Sequence, residues 1–470
     1  MTKSTLSSLV MAAALAWGVA IPEASAAGSQ DALLNALVRK RVLSESEADE
    51  IRGELAQEKA KSSAEKIKLS NSISELKLYG DLRLRYQYDN RDTMVRGPQV
   101  TTAGKNGEGD PRHGRQRSRA RFRLRLGADF KLTDQFFGGV QIQTSSAADS
   151  GNQTFTGGFS NYDLFLSRAY LGWKPMDGLT FVGGKQANPF YTTDLVWDGD
   201  INPTGVVEIV DLHKLVASAE GGTPPWELTL TGGQFIFQDN DEDKNGTDYK
   251  TDAWLFVTQA RGSYKFENDV KLTVAPGFMT YTASDLTSSP GMNNETSFYS
   301  TRNLSILTAP GDVSFKMGGL KAKVYWDLAY NLEGSKRARD IYGLDGSFDT
   351  NLGRDASTTS TIDNLAWLVG FKLGDNKKKG DWSAMLDYRQ TGIAAVDPNL
   401  NDSDFALGQL NTQGVKAGVA YNLTDSAIAA VSFIQAWNLR EIYGGEATGG
   451  SAIANTSSAQ IIQVDLNLKF

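Results

Sequence analysis

Six arginines spaced two residues apart carry the densest chemistry in this sequence: Arg115, Arg117, Arg119, Arg121, Arg123 and Arg125 alternate with Gln116, Ser118, Ala120, Phe122, Leu124 and Leu126. A helix would spread these cations around its circumference. A period of two places them on one face of a strand, with Ala120, Phe122, Leu124 and Leu126 on the other. The stretch before it repeats the arrangement, with Leu76, Leu78, Leu82, Leu84 and Tyr86 on one face and Lys77, Asp81, Arg83, Arg85 and Gln87 on the other. If the two stretches pair with Glu75 near Lys131, then Arg85 falls near Arg121, Arg83 near Arg123 and Asp81 near Arg125. Like charges directly opposite destabilise a sheet, so water, anions or an acidic element must compensate this wall.

Acidic groups are available in Asn188 to Gly205, where Asp194, Asp198 and Asp200 stand beside Trp197 and Pro203. A different chemistry is offered by Asp241-Glu242-Asp243-Lys244-Asn245-Gly246 with Asp252 at the twelfth position. Oxygens from Asp241, Asp243, Asn245 and Asp252, with glycine at the sixth position, have the spacing of a calcium loop. Aspartate in place of the longer bidentate glutamate weakens that reading, as do flanks that read as strands. The bland reading is an acidic surface loop holding divalent ions loosely between neighbours or lipopolysaccharide molecules. No cofactor is required, and calcium is the one that the spacing allows.

Enzyme chemistry has little to build on. Cysteine is absent, which excludes disulfides, thiolate zinc sites and thiol catalysis. The only histidines, His113 and His213, have no recognisable serine or carboxylate partner motif. No glycine-rich phosphate loop stands out, and a net charge of −7 argues against nucleic acid.

The elements that position the arginine wall must expose its other, apolar face to something. A soluble antiparallel sheet would cover that face with a second layer; a membrane barrel would turn it to lipid. Alternation and turn chemistry place strands near 76–88, 117–131, 136–145, 162–174, 179–187, 205–219, 226–238 and 252–266. Further strands fall near 270–283, 301–317, 321–332, 362–373, 381–391, 412–423, 426–440 and 459–470. Tight turns such as Pro175-Met176-Asp177-Gly178 alternate with long segments, among them Asn90 to Gly114, Glu333 to Thr361 and Val396 to Gly408. That alternation and an even strand number belong to an all-β transmembrane antiparallel barrel with short turns at one end and longer outer loops at the other. Glu75 to Phe470 supplies about 25 residues per strand and connection, against ~9–11 needed to cross the hydrocarbon. The mean hydropathy of −0.34 does not oppose this, because only alternate residues meet lipid. Trp173, Phe266, Phe371, Trp382 and Tyr421 fall near strand ends, where an aromatic girdle would lie.

The amino terminus adds two segments. Residues 1–26 have the layout of a secretory signal, with Lys3, an apolar run and Ala24-Ser25-Ala26. Residues 27–70 read as helical, with a stripe of Leu33, Leu34, Leu37 and Val38 and a capping box in Ser44-Glu45-Ser46-Glu47. This segment is a periplasmic linker, coiled coil or tether. Residues 75–470 form the barrel.

The signal peptide, the alternating strands and the closing strand that ends in Phe470 resemble Gram-negative outer-membrane porins. More narrowly, the helical preface, the strand start Leu76 to Arg85 and Arg121-Phe122-Arg123-Leu124-Arg125-Leu126-Gly127 are similar to the family of putative porins related to phosphate-selective porins. The resemblance implies a trimeric channel in the cell outer membrane, in contact with lipid and lipopolysaccharide, passing small hydrophilic solutes. It also implies that Asn188 to Gly205 folds inward opposite the arginines, making Asp194, Asp198 and Asp200 constriction residues and Arg83, Arg85 and Arg115 to Arg125 pore-lining ones. Inward-facing cations outnumber Asp81, Asp327, Asp387 and Asp465. A modest anion preference set by Arg83, Arg85, Arg121 and Arg123 follows as an expectation. The alternatives are a channel specific for a phosphate-like anion and a structural or adhesive barrel that contacts peptidoglycan through its helical preface.

Overall fold

The computed structural model describes residues 72–94, 115–156, 158–220, 224–239, 252–282, 301–342, 360–440 and 455–470. The signal segment 1–26 and the helical segment 27–70 lie outside the described residues. The first alternating stretch is strand β1 (Glu75–Met94), which pairs along its length with β2 (Arg115–Lys131). The register sets Glu75 opposite Lys131, Asp81 opposite Arg125, Arg83 opposite Arg123 and Arg85 opposite Arg121, as the sequence pattern implies.

Antiparallel neighbours follow in chain order: β3 (Phe136–Thr144), β4 (Gln153–Thr154), β5 (Leu164–Met176), β6 (Leu179–Lys185), β7 (Thr204–Asp211), β8 (Trp226–Gln238), β9 (Ala253–Lys265), β10 (Lys271–Val274) and β11 (Gly277–Tyr281). Then come β12 (Ser305–Thr308), β13 (Gly311–Met317), β14 (Leu320–Asn331), β15 (Leu365–Gly374), β16 (Trp382–Thr391), β17 (Thr412–Asn422), β18 (Ala427–Asn438) and β19 (Asn455–Lys469). β19 returns to β1, from Asp81 opposite Lys469 to Met94 opposite Asn455, and closes the sheet. Closure leaves no open edge, which is what a sheet needs if its backbone is to be satisfied in lipid.

The nineteen segments make sixteen staves. β4 is a two-residue lip on β2, opposite Arg121 and Phe122. β10 and β11 are one stave broken at Ala275-Pro276, and both pair with β9. β12 and β13 are another, broken at Ala309-Pro310, and both pair with β14. Proline has no N–H to give the ladder, so each stave breaks where one occurs. At the tight-turn end, Gly318 and Gly319 join β13 to β14 with φ of 58° and 82°, the two positive values that a two-residue hairpin of matching twist requires.

The two faces separate as the alternation demands. Leu78 and Leu171, 67% and 62% exposed, point outward, and Arg85, Gln87 and Arg123 are buried within. Trp173, Phe266, Phe371, Trp382 and Tyr421 are all exposed near the tight-turn end, where an interfacial girdle would lie.

Two expectations need correction. The sixth strand does not run to residue 219: β7 stops at Asp211 and a helix, α1 (Leu212–Glu220), follows. Leu212, Leu215 and Val216 recur at helical spacing, and Lys214 reaches back to Asp211 at 2.8 Å. The segment after β16 is not an outer loop. It turns into the barrel, and Ile393, Ala394, Ala395, Val396 and Leu400 are buried there, because an apolar run cannot stay in water when an interior surface is within reach. A second helix, α2 (Gly334–Tyr342), occupies the connection after β14 and buries Ala338 and Ile341 in the same cluster as Ile393.

Leu328 lies mid-strand on β14, 45% exposed on the apolar outer face beside Val324 and Tyr330. Leu328→Arg should destabilise folding into phosphatidylcholine vesicles by about 2–4 kcal/mol, the cost of a cation near the bilayer midplane. Unchanged urea-dependent folding would place that face away from lipid.

Candidate pore constriction

Two connections meet inside the barrel. The first, 186–203, leaves β6 just past Gly184, whose φ of +114° and close approach to the Ala169 backbone leave no room for a side chain. It then turns inward. Its aromatic anchors pack on one wall: Phe190 lies 6.1 Å from Phe235 and 6.3 Å from Trp197, all three buried with Leu195, Val196 and Val207. Polar contacts fix the same segment to strands. Gln259 receives the Tyr191 N–H at 2.8 Å and donates to its carbonyl at 2.9 Å, Thr193 donates to Asp327 at 2.7 Å, and the Tyr191 hydroxyl donates to Asp312.

The second connection, 392–411, crosses toward the opposite wall. Asn331 donates to the Ala394 carbonyl at 2.8 Å and the Tyr281 hydroxyl donates to Asp397. At its far end Phe405 and Ala406 pack on Ile434, Ala436, Ala459 and Ile461, facing inward from β18 and β19. The two connections bind each other through their backbones: Asp198 N–H donates to the Leu400 carbonyl at 2.6 Å and Asp402 N–H to the Asp194 carbonyl at 3.0 Å. Ser403 N–H adds a bond to the Asp198 carboxylate at 3.1 Å.

The acidic side chains of this pair meet the basic wall. Arg123 reaches Asp200 at 3.2 Å and Asp81 at 3.0 Å, and Arg125 reaches Asp81 at 2.6 Å. Arg85 is forked on Asp465, at 2.8 and 2.9 Å, and also reaches Asp404 at 3.1 Å. Arg119 pairs with Asp89 at 2.9 Å. On the other side Lys416 bridges Asp194 at 3.2 Å and Asp402 at 3.4 Å, and Arg389 holds Asp402 at 3.0 Å and Asp387 at 3.3 Å.

Arg83 and Arg121 differ. Arg83 donates to the Asn152 side-chain oxygen, and Arg121 to Gln87, Ser150 and the Asn152 carbonyl, so all their acceptors among the described residues are neutral. Toward the end with long connections, Arg91, Arg117 and Arg119 line a recess of about 430 Å³ with Asp89, Gln116 and Leu407.

The structure thus gathers Arg83, Arg85, Arg119, Arg121, Arg123, Arg125, Asp194, Asp198 and Asp200 around one constricted interior, with Arg117 at its mouth; Arg115 opens β2. It does not bring Asp252 there: that residue is exposed just before β9, and Asp241, Asp243 and Asn245 lie outside the described residues. No metal-holding cluster occurs among the described residues. His213 sits on α1, and His113 lies outside the described residues. Asn152, Ser150, Asp402, Asp404 and the whole 392–411 segment carried no motif. Their one signal was the run Ile393-Ala394-Ala395-Val396, too apolar for a solvated loop.

A closed antiparallel barrel with connections folded against a charged interior wall defines a porin-type outer-membrane channel. The sequence matches the family described as "Putative porin" over residues 12–319 and 319–470, and the chain belongs to that family, one of channels and not of enzymes. No curated protein sequence matches it. Similar solved structures include Salmonella typhi OmpF in complex with daunomycin, at 11% identity over 86% of this chain and 100% of that one, with a TM-score of 0.45. The outer-membrane channel DcaP of Acinetobacter baumannii is 11% identical over 85% of this chain and 99% of that one, with a TM-score of 0.42. A triple mutant of the Rhodopseudomonas blastica porin is 9% identical over 84% and 100%, with a TM-score of 0.39.

Burial pushes the Asp198 carboxyl up to about 7, against the pull of the Asp200 and Ser403 N–H groups. A carboxyl raised in the docked arrangement favours docking when protonated. That contribution is complete below the ordinary value of 3.8 and is lost as pH rises through about 7. Current fluctuations in single-channel recordings should therefore grow from pH 6 to pH 8, and Asp198→Asn should flatten the profile. An identical profile in the variant would show that other groups control the docking.

Proposed function

We propose that the protein is a passive diffusion channel for small hydrophilic solutes with a modest preference for anions, set by Arg83 and Arg121. The observation that carries this reading is the uneven pairing of the wall. Arg85, Arg119, Arg123 and Arg125 have carboxylate partners within 3.3 Å, and Arg83 and Arg121 have only neutral ones among the described residues. Paired charges cancel beyond a few ångströms, whereas an uncompensated guanidinium acts over a Debye length of about 8 Å at physiological salt. Anions enter past Arg91, Arg117 and Arg119 and meet Arg121 and Arg83 further in. The reversal potential across a tenfold KCl gradient tests this. The native channel should be anion-selective, and Arg83→Gln with Arg121→Gln should move its potential toward zero. A cation-selective native channel overturns the preference.

Residues 1–26 act as the export signal and 27–70 as a periplasmic segment. The channel works as a homotrimer, and support comes from the wall at β6 and β7. These strands have seven and eight residues, fewer than the ~9–11 that cross a bilayer. On their outer face Glu208 accepts a bond from Gln234 at 3.3 Å. A carboxylate on a low wall suits a protein neighbour better than lipid. Glu208→Lys should abolish the oligomer band in unheated SDS gels and leave the heat-modifiable shift of the folded monomer. A retained oligomer would move the interface elsewhere.

A further inference from the structure

Three aromatic rings lie on the inner face of the barrel between the constriction and the tight-turn end. Tyr79 follows the inward alternation of β1, Phe137 that of β3 and Tyr170 that of β5, and all three are half-buried. Each stands opposite a glycine: Tyr79 opposite Gly127, Tyr170 opposite Gly139 and Phe137 opposite Gly172. A Cβ on any of these glycines would strike the facing ring, so each ring lies down over bare backbone. Gly127 pairs with Gln141 and Gly139 with Asp129, which makes Gly127 and Gly139 diagonal neighbours with Cα atoms about 7–8 Å apart; Gly139 and Gly172 stand in the same relation.

The rings thus descend in steps across β2, β3 and β5. The upper step adjoins the constriction, since Asp81, the next inward residue after Tyr79, binds Arg123 and Arg125. The lowest lies near the tight-turn mouth, where Phe137 is the second residue of β3. Phe137 and Tyr170 also touch the apolar cluster that contains Val182, which anchors them from one side. Polar groups of both signs flank the steps. The Tyr170 hydroxyl donates to Asp129 at 3.2 Å, Asp129 stands opposite Lys77, Lys131 is paired with Glu75, and Lys174 Nζ lies 5.1 Å from the centre of the Phe137 ring.

We propose that Tyr79, Tyr170 and Phe137 form a stacking track for neutral sugars, along which a saccharide passes between the constriction and the tight-turn mouth. The track rests on the reading of the protein as a diffusion channel for small hydrophilic solutes and names one solute class. A pyranose ring has a face of C–H groups and a rim of hydroxyls. The C–H face settles on the negative face of an aromatic ring and leaves water. The hydroxyls need acceptors and donors at the edge of that ring, and Asp129, Lys77 and Lys174 supply them. A solute without charge gains little from the field of the arginine wall, so flat rings are what can hold it. Three weak steps in a row also let it leave, because each contact is exchanged for the next.

The full-length protein in planar bilayers tests the track, with maltotriose titrated into symmetric KCl. Maltotriose should depress the ion current along a saturating curve, and polyethylene glycol of equal hydrodynamic size should not saturate. Tyr79→Ala and Tyr170→Ala, each shown to be folded by its heat-modifiable gel shift, should raise the half-blocking concentration about fivefold or more. Tyr79→Phe keeps the ring face and should stay within about twofold of the native value. A half-blocking concentration unchanged in both alanine variants overturns the track, because rings that only fill the space over their glycines would leave it so. Equal and saturating block by the polymer overturns it as well. Block by benzyl alcohol with none by maltotriose assigns the rings to aromatic solutes and overturns the sugar. Conductance without any block removes the track and leaves the channel standing; absence of conductance removes the channel reading and the track with it.

Discussion

A row of guanidinium groups two residues apart on one strand, facing a second such row, repels itself, and much of the interior answers that repulsion. Asp81 sits on the same face as Arg83 and Arg85 and takes Arg123 and Arg125. Asp465 comes from the closing strand and forks Arg85. Asp89, again on β1, takes Arg119, and these three acids lie on the wall itself. The remaining counter-charges, Asp200 and Asp404, belong to connections that reach the wall only by crossing the lumen. The arginine wall is therefore one reason that both connections end where they do. An unpaired charge buried on either side would cost several kcal/mol.

Charge alone would not hold two connections in water, where a solvated ion pair contributes about 0–1 kcal/mol. Apolar anchors hold them from the other side. Phe190, Trp197, Val396 and Leu400 are buried against Val207, Phe235, Leu255 and Ile306 on the far wall, each contributing about 1.5–3 kcal/mol by leaving water. The interior is thus divided: one wall packs like a protein core, the other is polar and charged. Backbone bonds between Asp198 and Leu400 and between Asp194 and Asp402 join the two connections, so movement of one loads the other.

Much of this was legible because a strand has a period of two. Once Leu78 and Leu84 face one way, Arg83 and Arg85 must face the other, and the Glu75–Lys131 pairing then fixes every cross-strand neighbour of the first hairpin. Staves, turns and closure follow from the same alternation. Where periodicity fails, the sequence is silent. β7 gives way to α1 within a run that suits either state until Leu215 and Val216 fall on one helical face. Pro276 and Pro310 mark ladder breaks that alternation alone passes over. The inward course of 392–411 depends on contacts with Asn331, Tyr281 and Asp194, residues distant in sequence, so only its apolar composition hinted at burial. Asn152 was invisible for a related reason, since an amide in a loop has a role only after the loop lies over two arginines.

The same division explains why Arg83 and Arg121 can stay without carboxylate partners among the described residues. Had the connections been held by charge alone, each cation would be needed as an anchor and each would have its own acid. Because the apolar wall carries most of the docking, the charged wall does not have to be neutralised throughout. Asn152 and Ser150 then satisfy part of the hydrogen bonding of the two remaining guanidinium groups without cancelling their charge. A neutral acceptor keeps a cation ordered and still available, whereas a carboxylate keeps it ordered and removes it from the field that a passing ion meets. The interior can thus be rigid where carboxylates hold its cations, while the preference proposed for the channel rests on the two whose acceptors are neutral.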